Sequence, residues 1–276
     1  MMNTMNKYFI LFYFLYQNGF AQYSILAESY DINSAGHGRA GVAQHAPENF
    51  VNNPAHLALI ADCRVYAHWL GHYFVSGISA LHLQAALPEF GLGKFGISIA
   101  SDGGPAYRAS TLGLSYARRI SQNGTLGIGL HSYFEQFPES GQSFGLFPAA
   151  GIQWQPMPRL CIATNMINPI SISIGSLSIV PSVARFGISY RIDQEIHWFS
   201  EVQISEWKNR QLRMGLSYKP HERLSISAGY ISGGQFTLGI ALHSTQLHIS
   251  IACHLHQVLG PNAGIGFLWI LRGKAN

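Results

Sequence analysis

The stretch LRMGLSYKPHERLSISAGYI, residues 212–231, decides the fold class because its apolar residues recur at every second position. In the first half, the apolar face consists of Leu212, Met214, Leu216 and Tyr218, and the opposite face of Arg213, Gly215, Ser217 and Lys219. The second half repeats this pattern after the turn signal at 219–222. A period of two is typical of a β-strand, and the short connection predicts an antiparallel hairpin.

The same alternation continues through most of the chain from about residue 63. Similar runs lie at 112–118, 126–131, 186–191, 236–243, 247–252 and 265–269. Counting these and all similar runs predicts about 14 strands, each of about 8–11 residues, and no amphipathic helix is predicted after residue 60. The sequence therefore predicts an all-β protein with antiparallel neighbours.

The composition separates two all-β architectures. Charged residues make up 11% of the 276 residues, against roughly 25% in a soluble domain. The second face of most strands carries Gly, Ser, Ala and His, whereas a soluble sandwich exposes charged and polar side chains there. In a transmembrane β-barrel the apolar face contacts lipid and the other face lines the lumen. We therefore predict a transmembrane antiparallel β-barrel, with outer-membrane lipid as its partner.

Two classes of ligand are not expected. The net charge of +4 is small and its residues are scattered, which argues against nucleic acid as a partner. No pattern in the chain predicts a cofactor.

Residues 1–21, MMNTMNKYFILFYFLYQNGFA, predict a cleaved signal peptide. Lys7 precedes an apolar run over residues 8–16, and the small residues Gly19 and Ala21 fit a cleavage site. A membrane anchor is the alternative, but a spanning helix needs about 20 apolar residues. Export without such a helix predicts the outer membrane of a Gram-negative cell. The expected division is 1–21 signal peptide, 22–60 N-terminal segment and 61–276 barrel.

The N-terminal segment carries two clusters of small residues. The first contains Gly36, Gly38, Arg39 and Gly41, and the second is Asn53-Pro54-Ala55. The glycine spacing matches a dinucleotide-binding fingerprint, but no strand precedes it, so nucleotide binding is not predicted. Small residues instead allow close approach of two backbones.

These clusters, placed ahead of a run of strands, resemble the outer-membrane barrels related to the long-chain fatty-acid transporter, the FadL-like family. The resemblance is strongest to the PorV/PorQ-type members of Bacteroidetes. It implies a 14-strand barrel whose N-terminal segment folds into the lumen as a plug. Small side chains on the lumen face of the strands agree with such a plug.

The resemblance implies two functions. The PorV/PorQ type implies a non-enzymatic accessory of type IX protein secretion or surface assembly, with secretion-machinery or cargo proteins as partners. This is the leading hypothesis. The alternative is a passive transporter of hydrophobic small molecules across the outer membrane, which predicts an elongated apolar pocket between plug and wall.

Several charged and imidazole side chains fall at the inward phase of their strands. The predicted lumen lining comprises His131, Arg191, Glu201, Arg213, Lys219, His243 and His248. These side chains could select a transported solute. Alternatively, they pair with the plug or with one another to satisfy buried polar groups.

Catalysis and metal binding are not predicted. His248 and Ser250 have the same-face spacing of a lipid hydrolase, which remains a remote alternative. An activated serine also needs an oriented base, and the sequence offers no orienting group. The histidines appear singly or as a pair without a third ligand, so no metal site is assigned.

Overall fold

The protein is described by a computed structural model covering residues 30–91, 93–137, 141–169, 180–206 and 210–271. The predicted signal peptide lies outside these residues and stays a prediction. No helix within the described ranges has the length and apolar character needed to cross a membrane.

Fourteen antiparallel strands close into a barrel, in which each strand pairs with its neighbours in sequence and β1 pairs with β14. The strands are β1 Cys63–Gly71, β2 Ser79–Phe90, β3 Gly93–Gly104, β4 Tyr107–Arg119, β5 Gly124–Phe137, β6 Gly141–Met157, β7 Leu160–Ile167, β8 Val183–Arg191, β9 Ile196–Ser205, β10 Gln211–His221, β11 Leu224–Ile231, β12 Gln235–His243, β13 Leu247–His256 and β14 Gly260–Leu271. The predicted fold class and strand number are confirmed.

The alternation of side chains explains which face of each strand meets lipid. Leu212 and Leu216 are exposed on the outside of β10, whereas Arg213 between them is buried inside. The outer surface is apolar around the barrel, and backbone groups are paired between strands. This is the arrangement that a lipid environment demands.

The strands differ in length more than the sequence predicts. β4, β5 and β6 contain 13, 14 and 17 residues, while β7 and β8 contain 8 and 9. The extra part of the β5–β6 hairpin carries Phe134 opposite Phe144 at exposed positions, followed by the polar pair of Gln136 and Gln142. This polar pair interrupts the apolar alternation, so the pattern did not reveal the full length of the hairpin.

The two ends of the barrel have different connections. One end, here called the turn end, carries the short turns 120–123, 158–159, 192–195, 222–223 and 244–246, together with both termini of the barrel. The other, the loop end, carries the longer connections 72–78 and 168–182 as well as the short turns 105–106, 232–234 and 257–259. Short turns are typical of the periplasmic side of outer-membrane barrels, and longer loops of the outside.

Residues 30–60 fold inside the barrel and are called the plug below. They include the short helix α1, Ile32–Gly36, which packs against β11–β14. They end with a 3₁₀ helix, Pro54–Leu59, which packs against β3–β6. Most of the plug is buried.

Strand glycines make room for the plug. A Cβ atom at Gly215 would overlap the carbonyl of His37, and one at Gly229 would overlap the backbone of Gly38. The small lumen-facing residues noted in the sequence therefore lie where the plug backbone contacts the wall.

A buried ion pair ties the plug to β9 and β10. The carboxylate of Glu201 accepts a hydrogen bond from the backbone N–H of Val42 at 2.9 Å and pairs with the guanidinium of Arg213 at 3.1 Å. Both charged side chains are 1% exposed. This pair matches the second sequence interpretation, in which luminal charges bond to the plug and to each other.

The glycine contacts predict that Gly215→Val displaces the plug. The added side chain cannot fit beside His37, and such overpacking costs about 1–3 kcal/mol or more. We expect faster protease cleavage within residues 30–60 in folded barrels. Gly145→Val is the matched control, because a Cβ there meets nothing within 4 Å. Equal protection of both variants would contradict the assigned contact.

The ion pair predicts a non-additive stability effect. Arg213→Met leaves the Glu201 charge buried and unpaired, which lowers the free energy of unfolding by about 3–5 kcal/mol. The double variant Glu201→Gln/Arg213→Met removes both charges and should recover part of that loss. Urea unfolding in detergent micelles measures both effects. A double variant whose loss equals the sum of the single losses would refute the coupling.

Candidate functional site

The glycine cluster of the plug serves close packing. The backbone N–H of Gly38, at a φ of +77°, donates to the hydroxyl of Thr237 at 2.8 Å. Gly36 lies against Gly239 of β12, and Gly41 against the side chain of Asn52. Each of these glycines thus lies in close contact with the wall or with another part of the plug.

Arg39 belongs to the same cluster as these glycines, but it contacts its neighbours through its side chain. Its guanidinium stacks over the ring of Tyr30 at 4.1 Å and lies 3.2 Å from Nδ1 of His254. The cation is 6% exposed. Its described contacts anchor the start of the plug to β13.

The Asn53-Pro54-Ala55 cluster begins the 3₁₀ helix and fastens it to the wall. The side-chain oxygen of Asn53 accepts from the N–H of Ala55 at 3.0 Å, which caps the helix. Its amide nitrogen donates to the carbonyls of Val42 and Thr164. Pro54 lies against Gly127, where a side chain would not fit.

A polar chamber of about 650 Å³ lies between the plug and the wall at the turn end. Three of the predicted luminal residues, Arg191, Lys219 and His243, line it. The plug contributes His45 and Glu48, which the sequence did not single out because no strand period applies to them. The wall side of the chamber carries Arg159, Arg191 and Lys219 beside Asp193, and the plug side carries the carboxyl groups of Asp31 and Glu48.

Plug histidines stay neutral at physiological pH. Burial lowers the pKa of His37 to about 3, with a further contribution from His197, and its ring stacks on Phe199 at 4.2 Å. Burial also lowers the pKa of His56 to about 4. These imidazoles therefore act as packed, uncharged side chains.

Glu48 joins two predicted luminal histidines. Its Oε1 lies 2.7 Å from Nδ1 of His248 and 3.3 Å from Nδ1 of His243. Burial would raise the pKa of Glu48, but the hydrogen bonds from both histidines outweigh it and hold the pKa well below its ordinary range. The carboxylate is thus ionised against the wall.

An apolar cluster lies inside the barrel near the loop end. It consists of Ala109, Tyr133, Phe147, Ala149, Ile167, Val180 and Val183, with Tyr107 packed against it. The sequence missed this cluster, because the inward phase was read as small and polar throughout. Tyr133 and Phe147 were the available signal, since both are large and lie at inward positions of β5 and β6.

The cluster lies where the described wall is lowest. Pairing between β6 and β7 ends at Ala149 opposite Ile167, although β6 continues along β5 to Gly141. At the next position, the carbonyl of Pro148 accepts from the N–H of Asn168 at 2.7 Å, but Pro148 has no N–H to donate in return. β6 therefore carries about 25 Å of strand that β7 does not accompany.

The cavity between the cluster and the plug is small. It has a volume of about 60 Å³ and is lined by Phe50 and Pro54 of the plug and by His131, Phe147 and Ala149 of the wall. Polar and apolar side chains both line this cavity. It is therefore not the elongated apolar pocket that the transporter alternative predicts. His131 stacks on Phe147 at 5.0 Å.

The remote hydrolase alternative gains no support from the described contacts. The ring of His248 contacts Glu48 and His243, and none of the described hydrogen bonds joins it to Ser250. Ser250 lies inside the lumen, where its hydroxyl crowds Gly266. A lipid substrate would have to reach it from the opposite face of the strand.

Comparisons of sequence and of structure differ in outcome. No protein-family model matches the chain, and no curated protein matches it in sequence. Solved structures do match. The toluene transporter TbuX of Ralstonia pickettii is 13% identical with a TM-score of 0.66, covering 89% of this chain and 99% of TbuX.

Two further structures show the same barrel. The toluene transporter TodX of Pseudomonas putida is 10% identical with a TM-score of 0.66, covering 87% of this chain and 97% of TodX. A FadL homologue of Pseudomonas aeruginosa is 11% identical with a TM-score of 0.60, covering 87% of this chain and 97% of the homologue. At these identities the likeness establishes the fold alone: the chain has the 14-strand architecture of FadL-like outer-membrane barrels.

Proposed function

We propose that the protein passes small hydrophobic molecules across the outer membrane. The observation that carries this proposal is the apolar cluster inside the barrel, next to the lowest part of the described wall. Where the plug packs against the wall, the wall residues are mostly small and apolar, such as Ala86, Ala117 and Ala163. The large apolar side chains of Tyr133 and Phe147 in this cluster instead provide contacts for an apolar ligand.

The chemistry of the cluster suits a small aromatic or aliphatic molecule. The rings of Tyr133 and Phe147 and the branched side chain of Val183 are all buried. The hydroxyl of Tyr107 donates to Glu135 at 2.6 Å, so the polar end of that side chain is already bonded. The ring of Tyr107 therefore adds apolar area to the cluster.

The wall geometry supports a lateral approach to the cluster. Among the described residues, β7 ends at Ile167 while β6 continues past it, so the cluster lies beside the end of a short strand. An apolar molecule could reach it from the loop end or from the side. Water-soluble solutes would gain nothing from this surface.

Passage beyond the cluster requires the plug to move. A cavity of about 150 Å³ holds a benzene molecule, and the cavity beside Phe50 and Pro54 is about 60 Å³. A monoaromatic molecule therefore stops at the plug until this segment shifts. On this proposal the plug separates an apolar entrance from the polar chamber at the turn end.

The neighbours with the same fold support the class of molecule. TbuX and TodX are described as toluene transporters and CymD as a monoaromatic hydrocarbon channel. The secretion role rests on the resemblance of the two N-terminal clusters and stays a prediction. The described contacts of those clusters are packing contacts within this chain.

Uptake measurements with a substitution in the cluster test the proposal. Ala149→Trp fills the cavity between the cluster and the plug, so uptake of radiolabelled toluene should fall to the level of a Gram-negative host lacking the protein. Ala150→Trp is the matched control, since the next residue of β6 lies on the other face. Heat-dependent migration on a detergent gel verifies that both variants are folded.

Two outcomes would overturn the proposal. One is uptake by the wild-type protein no faster than that of the empty host. The other is equal uptake by Ala149→Trp and the wild type. Loss of secreted proteins in a deletion strain, with unchanged toluene uptake, would favour the secretion role instead.

A further inference from the structure

A cluster of two imidazoles and one carboxylate joins the plug to the barrel wall at the turn end. Glu48 belongs to the plug, whereas His243 and His248 lie at the two ends of the β12–β13 turn. Their three nearest atoms form a triangle, with 2.7 and 3.3 Å from Oε1 to the two Nδ1 atoms and 3.4 Å between the Nδ1 atoms. All three side chains are between 15% and 22% exposed.

The triangle has the size of a zinc-binding site. Zinc lies about 2.0–2.1 Å from its nitrogen and oxygen ligands, so the ligand atoms of a tetrahedral site are about 3.3 Å apart. Two sides of this triangle match that value, and the third is short because Glu48 and His248 share a hydrogen bond. A point about 2.0 Å from all three atoms lies just above their plane, within a bond length that zinc accepts.

The surroundings orient one of the imidazoles for this role. Nε2 of His243 lies 3.1 Å from the hydroxyl of Ser225. When Nε2–H donates to that hydroxyl, the lone pair of Nδ1 points into the cluster. Metal-binding histidines characteristically donate their second N–H to such a partner.

We propose that Glu48, His243 and His248 bind a zinc ion that fastens the plug to the wall. Two nitrogen ligands favour zinc over Ca²⁺ or Mg²⁺, which take oxygen ligands. A water from the adjoining chamber completes the tetrahedron, as in zinc sites with three protein ligands. Arg191 and Lys219 line the same chamber and oppose the ion, so the affinity falls below that of a four-cysteine structural site.

Zinc binding would replace hydrogen bonds by coordination at this point. Without the ion, the two imidazoles share one carboxylate oxygen through their Nδ1 atoms. With the ion, Oε1 and both Nδ1 atoms bind the same cation, so each neutral imidazole carries its proton on Nε2 and a proton displaced from Nδ1 passes to Nε2 or to solvent. The plug then has a metal-dependent attachment two residues before Phe50.

Metal titration of the purified full-length barrel in detergent tests the proposal. After chelator treatment, calorimetry with zinc ions alone should show one binding event per chain. Glu48→Gln and His248→Gln should each weaken binding at least about tenfold, and Ser225→Ala should weaken it less, as loss of an outer-shell partner does. Co²⁺ in place of zinc should give the visible absorption of a tetrahedral site.

His221→Gln is the control variant, since it removes an exposed histidine at the same end of the barrel. It should bind zinc like the wild type. Absence of binding by the wild type, or equal binding by Glu48→Gln, would overturn the proposal. If a variant does not fold, anomalous scattering at the zinc edge from wild-type crystals decides, and an ion located away from Glu48 refutes the site. Zinc binding is measured without any transported molecule, so its result is independent of the uptake experiment.

Discussion

The closed hydrogen-bond ladder is the constraint on which the rest of the structure depends. In hydrocarbon every backbone N–H and C=O must find a partner within the protein. β1 and β14 meet that demand by pairing over nine positions, from Cys63 opposite Leu271 to Gly71 opposite Ala263. Closure separates an outer face, which lipid requires to be apolar, from an inner face whose chemistry is free to vary. The low charge content follows from this division, since neither face needs a charged surface.

The inner face is then shaped by what occupies it. A barrel of 14 strands encloses more space than its own side chains fill, and the plug occupies that space along lines of glycine. Gly215 and Gly229 admit the backbone of His37 and Gly38. The buried pair Glu201–Arg213 sits on the neighbouring strands and binds the N–H of Val42. The glycines leave space for the plug backbone, and the ion pair fixes the plug in one position against the wall.

The sequence predicted the parts of this structure that depend on a repeated pattern. Strand number and lipid-facing residues follow from a period of two, which β10 and β11 show most plainly. The length of β5 and β6 did not follow, because the polar pair of Gln136 and Gln142 interrupts the apolar outer face near the end of the hairpin. Glu48 and His45 were also beyond reach: the plug has no regular period, and its contacts with His243 and the chamber are set by tertiary packing alone.

One short segment of the plug, residues 48–50, contacts both the β12–β13 turn and the small cavity below the apolar cluster. Glu48 is bonded to the β12–β13 turn, and Phe50, two residues later, borders the small cavity below the apolar cluster. Two residues span at most about 7 Å, so the bond of Glu48 to the wall limits how far the backbone of Phe50 can move away from the cavity. Strengthening that attachment therefore opposes opening of the cavity. The residues that fix the plug and those that would admit a ligand are coupled through the backbone of residues 48–50.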